Sequence, residues 1–141
     1  MKKISIFILS LLVGTGLVLS ACAAQATQAG LSGTSWKMAS YGLTGNQTPA
    51  AAGIDTRLDF SKDGTVNGNL GCNSFSGNYK VTNDTIVFSK MVSTLMACDD
   101  PQMTQESFGL KIMNDSARFT VIDNKLTLYA SGGDSAITFS K

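Results

Sequence analysis

The residues best placed to do chemistry in this 141-residue chain form one dense block, Gly71-Cys72-Asn73-Ser74-Phe75-Ser76-Gly77-Asn78-Tyr79, followed by a second cysteine at Cys98. Asn73 offers an amide that could hydrogen-bond a ligand. The plainer reading is that Gly71 permits a tight bend and Asn73 bonds its own backbone beside it. Gly77 and Tyr79 carry the same two readings, a binding motif or a structural one. Ser74 and Ser76 are poor nucleophiles here, because Asn-Ser-Phe-Ser-Gly is not Gly-x-Ser-x-Gly and the chain has no His to serve as base. Hydrolysis by a serine route is not expected.

Carboxylates are the remaining catalytic option, with nine Asp and the single Glu106. Asp55, Asp59 and Asp63 recur every fourth residue, a spacing that falls on one face of a strand. Their plain reading is a solvated face ending in a turn Asp, and Asp63-Gly64 lacks the Asp-x-Asp that opens a calcium loop. Asp99-Asp100-Pro101 reads as a helix start, a carboxylate N-cap with Pro at the first helical position. A weak metal site at Asp99 and Asp100 is the alternative. Neither a metal nor another cofactor is expected, and the chain is read as non-enzymatic.

Composition narrows the partners. Without residues 1–21, which carry Lys2 and Lys3, nine basic side chains face ten acidic ones, with no basic run. Such a surface has no electrostatic footprint for a phosphate backbone, so nucleic acid is not an expected partner. Met1-Lys2-Lys3 followed by the apolar stretch Ile4 to Leu19 reads as an export leader over residues 1–21. Leu19-Ser20-Ala21-Cys22 resembles a bacterial lipobox, which would make Cys22 the lipidated first residue of the mature protein. Membrane association through that lipid follows from the resemblance. Ala23 in place of Asp resembles outer-membrane sorting in a Gram-negative cell, facing the periplasm. Residues 22–33 then read as the lipidated Cys and a small, uncharged tether outside the fold.

With Cys22 acylated, Cys72 and Cys98 remain as an even pair in an exported chain, which favours a disulfide over free thiols. A metal site is the weaker competitor, given no His and no Cys-x-x-Cys.

The elements that must position these groups are strands. Apolar residues alternate at Trp36/Met38, Leu58/Phe60, Val66, Tyr79/Val81, Ile86/Phe88, Phe119/Val121, Leu126/Leu128 and Ile137/Phe139. Turn chemistry separates them at Asp63-Gly64, Asn83-Asp84, Asp123-Asn124 and Gly132-Gly133, the first suiting a type I′ hairpin. The expected domain, residues 34–141, is mainly β (α+β): a curled antiparallel sheet or partly open barrel of about eight short strands, with one packed α-helix. The helix falls at Gln102 to Asn114, with Phe108, Leu110 and Ile112 against the sheet. Residues 42–55 have no clean period and read as the longest loop. Trp36 is read as core, its N–H on a backbone carbonyl. Asn67-Gly68 is either a further turn or a Gly inside a strand at a close backbone approach.

Taken together, Trp36, Leu58-Asp59-Phe60, Asp63-Gly64, Gly68, the block from Gly71 to Tyr79, Thr94-Leu95-Met96-Ala97-Cys98, Glu106, Phe108 and Leu126-Thr127-Leu128 resemble the META domain family. The match runs over about residues 33–141. The resemblance implies a small sheet-plus-helix domain, often exported and lipid-anchored, with the two Cys as a disulfide. It also implies links to motility, drug tolerance and heat stress, and it assigns no catalytic residues.

Three function classes follow. The first is a lipid-anchored envelope module that binds or scaffolds an unidentified envelope protein, which needs an exposed apolar patch. The second is a carrier or pilot protein for a lipid or other apolar small ligand, which needs a cavity lined by side chains such as Phe108, Met113 and Phe139. An enzyme, the third, needs clustered Asp in a cleft.

Overall fold

The computed structural model describes residues 28–141. The leader, Cys22 and most of the tether lie outside the described residues. Element order is α1 (Gln28–Leu31), β1 (Thr34–Leu43), β2 (Asn46–Pro49), β3 (Arg57–Phe60), β4 (Thr65–Asn69), β5 (Ser74–Thr82) and β6 (Thr85–Ser93). Then come α2 (Gln102–Met113), β7 (Ser116–Ile122), β8 (Lys125–Tyr129) and β9 (Ser135–Ser140).

Each strand from β3 to β9 pairs antiparallel with the next, and β1 pairs with β3 on one edge and with β9 on the other. The sheet thus closes into an eight-stranded barrel, with β2 as an extra strand on the second half of β1. Closure removes the free edges that an open curled sheet would leave. The alternation read from sequence is the inside–outside alternation of this wall: Trp36, Leu58, Phe60, Val66, Ile86, Phe119, Leu126, Leu128, Ile137 and Phe139 fill the interior.

The two ends are plugged differently. Tight turns at 61–64, 83–84 and 123–124 ring one end, and there the chain enters through Leu31, which is fully buried. Gly33 N–H donates to Phe60 O at 2.7 Å, and the Thr34 hydroxyl donates to Leu31 O. The packed domain therefore begins at Leu31, inside the span read as tether. Uncharged small residues gave no period there because a single Leu does the packing. At the other end, α2 connects β6 to β7 and lies over the opening, burying Gln105, Glu106, Gly109, Ile112 and Met113. Ile112 packs inward as expected, while Phe108 and Leu110 are half-buried at the margin of the core.

Several local expectations need correction. Gly64 is left-handed (φ 86°) but Asp63 is not, so the β3–β4 turn is not type I′. Asp63 instead accepts from the Thr65 N–H at 3.0 Å and from its hydroxyl at 2.7 Å, which pulls its carboxyl below the usual range. Residues 42–55 are not one loop, because β2 runs within them. Its weak pattern reflects a polar anchor: Gln47 accepts from the Ser40 and Thr138 hydroxyls and donates to Ala136 O. Pro101, after a cis peptide bond, occupies the N-cap position with no side-chain cap, and Asp100 instead accepts from the Thr104 hydroxyl at 2.7 Å. Trp36 Nε1 donates to Thr34 Oγ1 at 2.7 Å rather than to a carbonyl. Gly68 sits within β4, where a Cβ would collide with the carbonyl of Arg57.

Candidate functional site

The α2 end of the barrel gathers the sequence's densest motif. Leaving β4, the chain bends through residues 70–73 under the first turns of α2. Asn69 holds the bend, accepting from Gly71 N–H at 2.9 Å and donating to Cys72 O at 3.2 Å. Gly71 lies so close to α2 that a Cβ would run into Gln102 O and the Glu106 side chain. Glycine is required here by close approach. A disulfide joins Cys72 to Cys98 across 26 positions, tying this bend to the segment after β6.

Beneath that segment lies a hydrogen-bonded network centred on Glu106, which is buried. Its Oε2 accepts from Cys72 N–H at 2.7 Å and from Asn73 N–H, and its Oε1 accepts from Asn73 Nδ2 at 2.7 Å. A buried carboxylate is costly unless its lone pairs are met. The two ion pairs among the described residues, Lys37–Asp55 and Arg57–Asp59, lie elsewhere, so hydrogen bonds do this work alone. Gln105 plays a parallel part, accepting from Ala51 N–H at 2.7 Å and donating to Leu70 O at 2.6 Å.

Asn73 does not bond its own backbone as the plainer reading had it. It passes the network on: its Oδ1 accepts from Met96 N–H at 2.7 Å and from the Thr94 hydroxyl at 2.8 Å, and its Nδ2 donates to Met96 O at 3.2 Å. Asn73 thus pairs with both backbone groups of Met96, as a neighbouring strand would. The segment 94–98 is gripped from below through Thr94, the Met96 backbone and Cys98, while the Leu95 and Met96 side chains are exposed. Leu95 is 98% exposed, Met96 54% and Val92, just before it, 63%. A large apolar side chain held almost wholly in solvent on a pinned backbone is the most unusual surface feature of the described residues.

The other sequence candidates separate from this cluster. Gly77 marks the bulge in β5 opposite β6, where the register shifts between Ser76 and Asn78 and Met91 closes over the missing side chain. Tyr79 lies toward the opposite end, its ring edge-on to Phe60 at 4.9 Å and its hydroxyl donating to Ser61 O at 3.0 Å. Both are framework. Asp55, Asp59 and Asp63 do not converge: Asp55 meets Lys37, Asp59 meets Arg57, and Asp63 closes its turn. Among the described residues no three His, Cys, Asp or Glu come together where a metal could be held. No described helix is long and apolar enough to cross a membrane.

The trio named for a carrier cavity also divides. Met113 and Phe139 are fully buried in the core. Phe108 borders an open cleft of about 360 Å³ with Lys111, Ile112, Asp115 and Asp134. The residue that sequence reasoning passed over is Glu106, noted only within the family resemblance. Its signal was available, as the sole Glu of the chain, set inside the expected helix.

Residues 29–141 match the META domain. The chain belongs to the META domain family. No curated protein matches it. Among solved structures, this META domain resembles one determined by NMR for a protein from Burkholderia xenovorans, with 21% identity and a TM-score of 0.66, covering 80% of this chain and 84% of that one. A second NMR structure, at 22% identity and TM-score 0.64, covers 82% and 94%. A crystal structure of a DUF4847-family protein from Bacteroides vulgatus, at 15% identity and TM-score 0.59, covers 78% and 93%. At these identities the likeness concerns the fold, and the shared barrel extends over nearly all of the described residues.

Proposed function

We propose that this META domain protein is a lipid-anchored component of the bacterial envelope that acts as a non-catalytic binding module. The observation that carries the reading is Leu95, fully presented between Val92 and Met96 on a backbone fixed by Asn73 and the Cys72–Cys98 disulfide. Exposing an apolar side chain of that size forgoes about 1.5–3 kcal/mol of burial, which a partner surface would recover. Rigid support also limits the ordering entropy lost on association. The anchor is Cys22, by its lipobox.

A carrier role is the second reading, supported by the cleft beside Phe108 and Ile112. Three of its lining residues, Lys111, Asp115 and Asp134, are charged, which suits an apolar ligand poorly.

Two experiments test the proposal. Cys22→Ala should move the full-length protein from the membrane to the soluble fraction; retention of the variant would remove the anchor. A photoreactive residue at Leu95 should give a discrete protein adduct in cells, and one at Ile122, exposed on β7, should not. Equal labelling from both positions would remove the binding surface.

A further inference from the structure

The apolar segment and the point where the N-terminal segment joins the domain stand at opposite ends of the barrel. Gly33 N–H donates to Phe60 O at the end of β3, where Thr34 pairs with Phe60, and Leu31 is buried just before it. At the far end, Thr94 N–H donates to Ser74 O at the start of β5, and Leu95 follows beyond the strand. Strand β6 runs between the two ends over nine residues. With a rise of about 3.3 Å per residue and a barrel tilt of about 40°, this separates them by roughly 20 Å. From Cys22 to Gln28 the sequence has only six Cα-to-Cα intervals. Fully extended, they reach roughly 20 Å.

We propose that the anchored domain stands on the bilayer by its Leu31 end and holds Val92, Leu95 and Met96 on the side facing away from it. Their partner is a protein with an apolar recess, not the membrane that holds the anchor. This inference rests on the reading of Cys22 as lipidated. To bring Leu95 to the bilayer the barrel must invert, and the whole reach of residues 22–28 would then be consumed alongside the barrel wall. Asp99 and Asp100 are exposed immediately after Cys98, so they favour a partner whose recess has a basic rim.

The test uses the full-length lipidated protein in phosphatidylethanolamine–phosphatidylglycerol vesicles that carry a quencher on the lipid headgroup. A fluorescent amino acid is placed at Asn124, in the turn between β7 and β8, or at Leu95. The expected result is quenching at least threefold stronger at Asn124 than at Leu95. Quenching at Leu95 equal to or above that at Asn124 would overturn the orientation and make the membrane the occupant. Protein that stays out of the vesicle fraction, with neither probe quenched, would overturn the proposal through its anchor, an outcome distinct from a bound but inverted domain.

Discussion

Asn73 Nδ2 and Glu106 Oε1 lie 2.7 Å apart, joining the bend after β4 to the second turn of α2 across 33 positions of sequence. Through this pair, the helix that covers the barrel holds the segment just upstream of its own start by way of a bend distant in sequence. Glu106 fixes Asn73, and Asn73 fixes Met96.

Glu106→Ala should therefore be among the more damaging single changes. It leaves the N–H groups of Cys72 and Asn73 and the Asn73 amide without their acceptor, at about 1–3 kcal/mol for each buried orphan. A loss of about 3 kcal/mol or more in urea unfolding is expected. Glu106→Gln keeps one acceptor oxygen but turns a donor toward Asn73, and an intermediate loss is expected. If both variants unfold like wild type, the network does not support the fold.

Leu31 carries a second expectation. It fills the turn end of the barrel although it lies in a stretch of small uncharged residues. Leu31→Ala should cost about 2–5 kcal/mol, the range for emptying a buried Leu site. Removing residues 1–33 should destabilise the domain at least as much, whereas removing 1–27 should leave its unfolding midpoint unchanged. Equal midpoints for the two truncations would place Leu31 outside the core.

For the disulfide, the chain-entropy treatment gives roughly 3.5 kcal/mol for a loop of this length, and Cys72→Ser should lower the unfolding midpoint accordingly under oxidising conditions. Alkylation of unreduced, denatured wild type should find neither Cys72 nor Cys98 free. Two reactive thiols would remove the bridge.

Asp63 supplies a pH dependence. The Thr65 hydroxyl and N–H hold its carboxyl below the ordinary value of 3.8, so the folded state prefers the ionised form more than the unfolded state does. The resulting stability is present above the ordinary carboxylate pKa and is lost as pH falls through the lowered folded value. Asp63→Asn should remove that part of the acid limb. Titration of Asp63 by NMR at or above its ordinary value would contradict the turn geometry.

The barrel was legible because its wall alternates: from Trp36/Met38 to Ile137/Phe139, each inward pair is apolar and each turn carries Gly, Asn or Asp. Closure through β1 and β9 was not legible, since pairing between the first and last strands leaves no local mark. The helix was visible at Pro101 but not its buried face, because Gln105, Glu106 and Gly109 occupy that stripe for hydrogen bonding and close packing rather than for burial of apolar area. Strand β2 escaped notice because Gln47 anchors it by polar bonds. The apolar segment at Thr94-Leu95-Met96-Ala97-Cys98 was visible as a motif. Its outward presentation was not, since it depends on Asn73 from the bend between β4 and β5 and Glu106 from the helix.

Whether that segment is a preformed surface or a loose loop is read most directly from amide hydrogen exchange at Met96. In wild type the Met96 N–H, donated to Asn73 Oδ1, should exchange at least tenfold more slowly than an unprotected amide. In Glu106→Gln its protection should fall while Leu126 and Leu128 in the barrel keep theirs. A Met96 amide that exchanges at the unprotected rate in wild type would contradict the account, because Leu95 would then have no fixed surface to present.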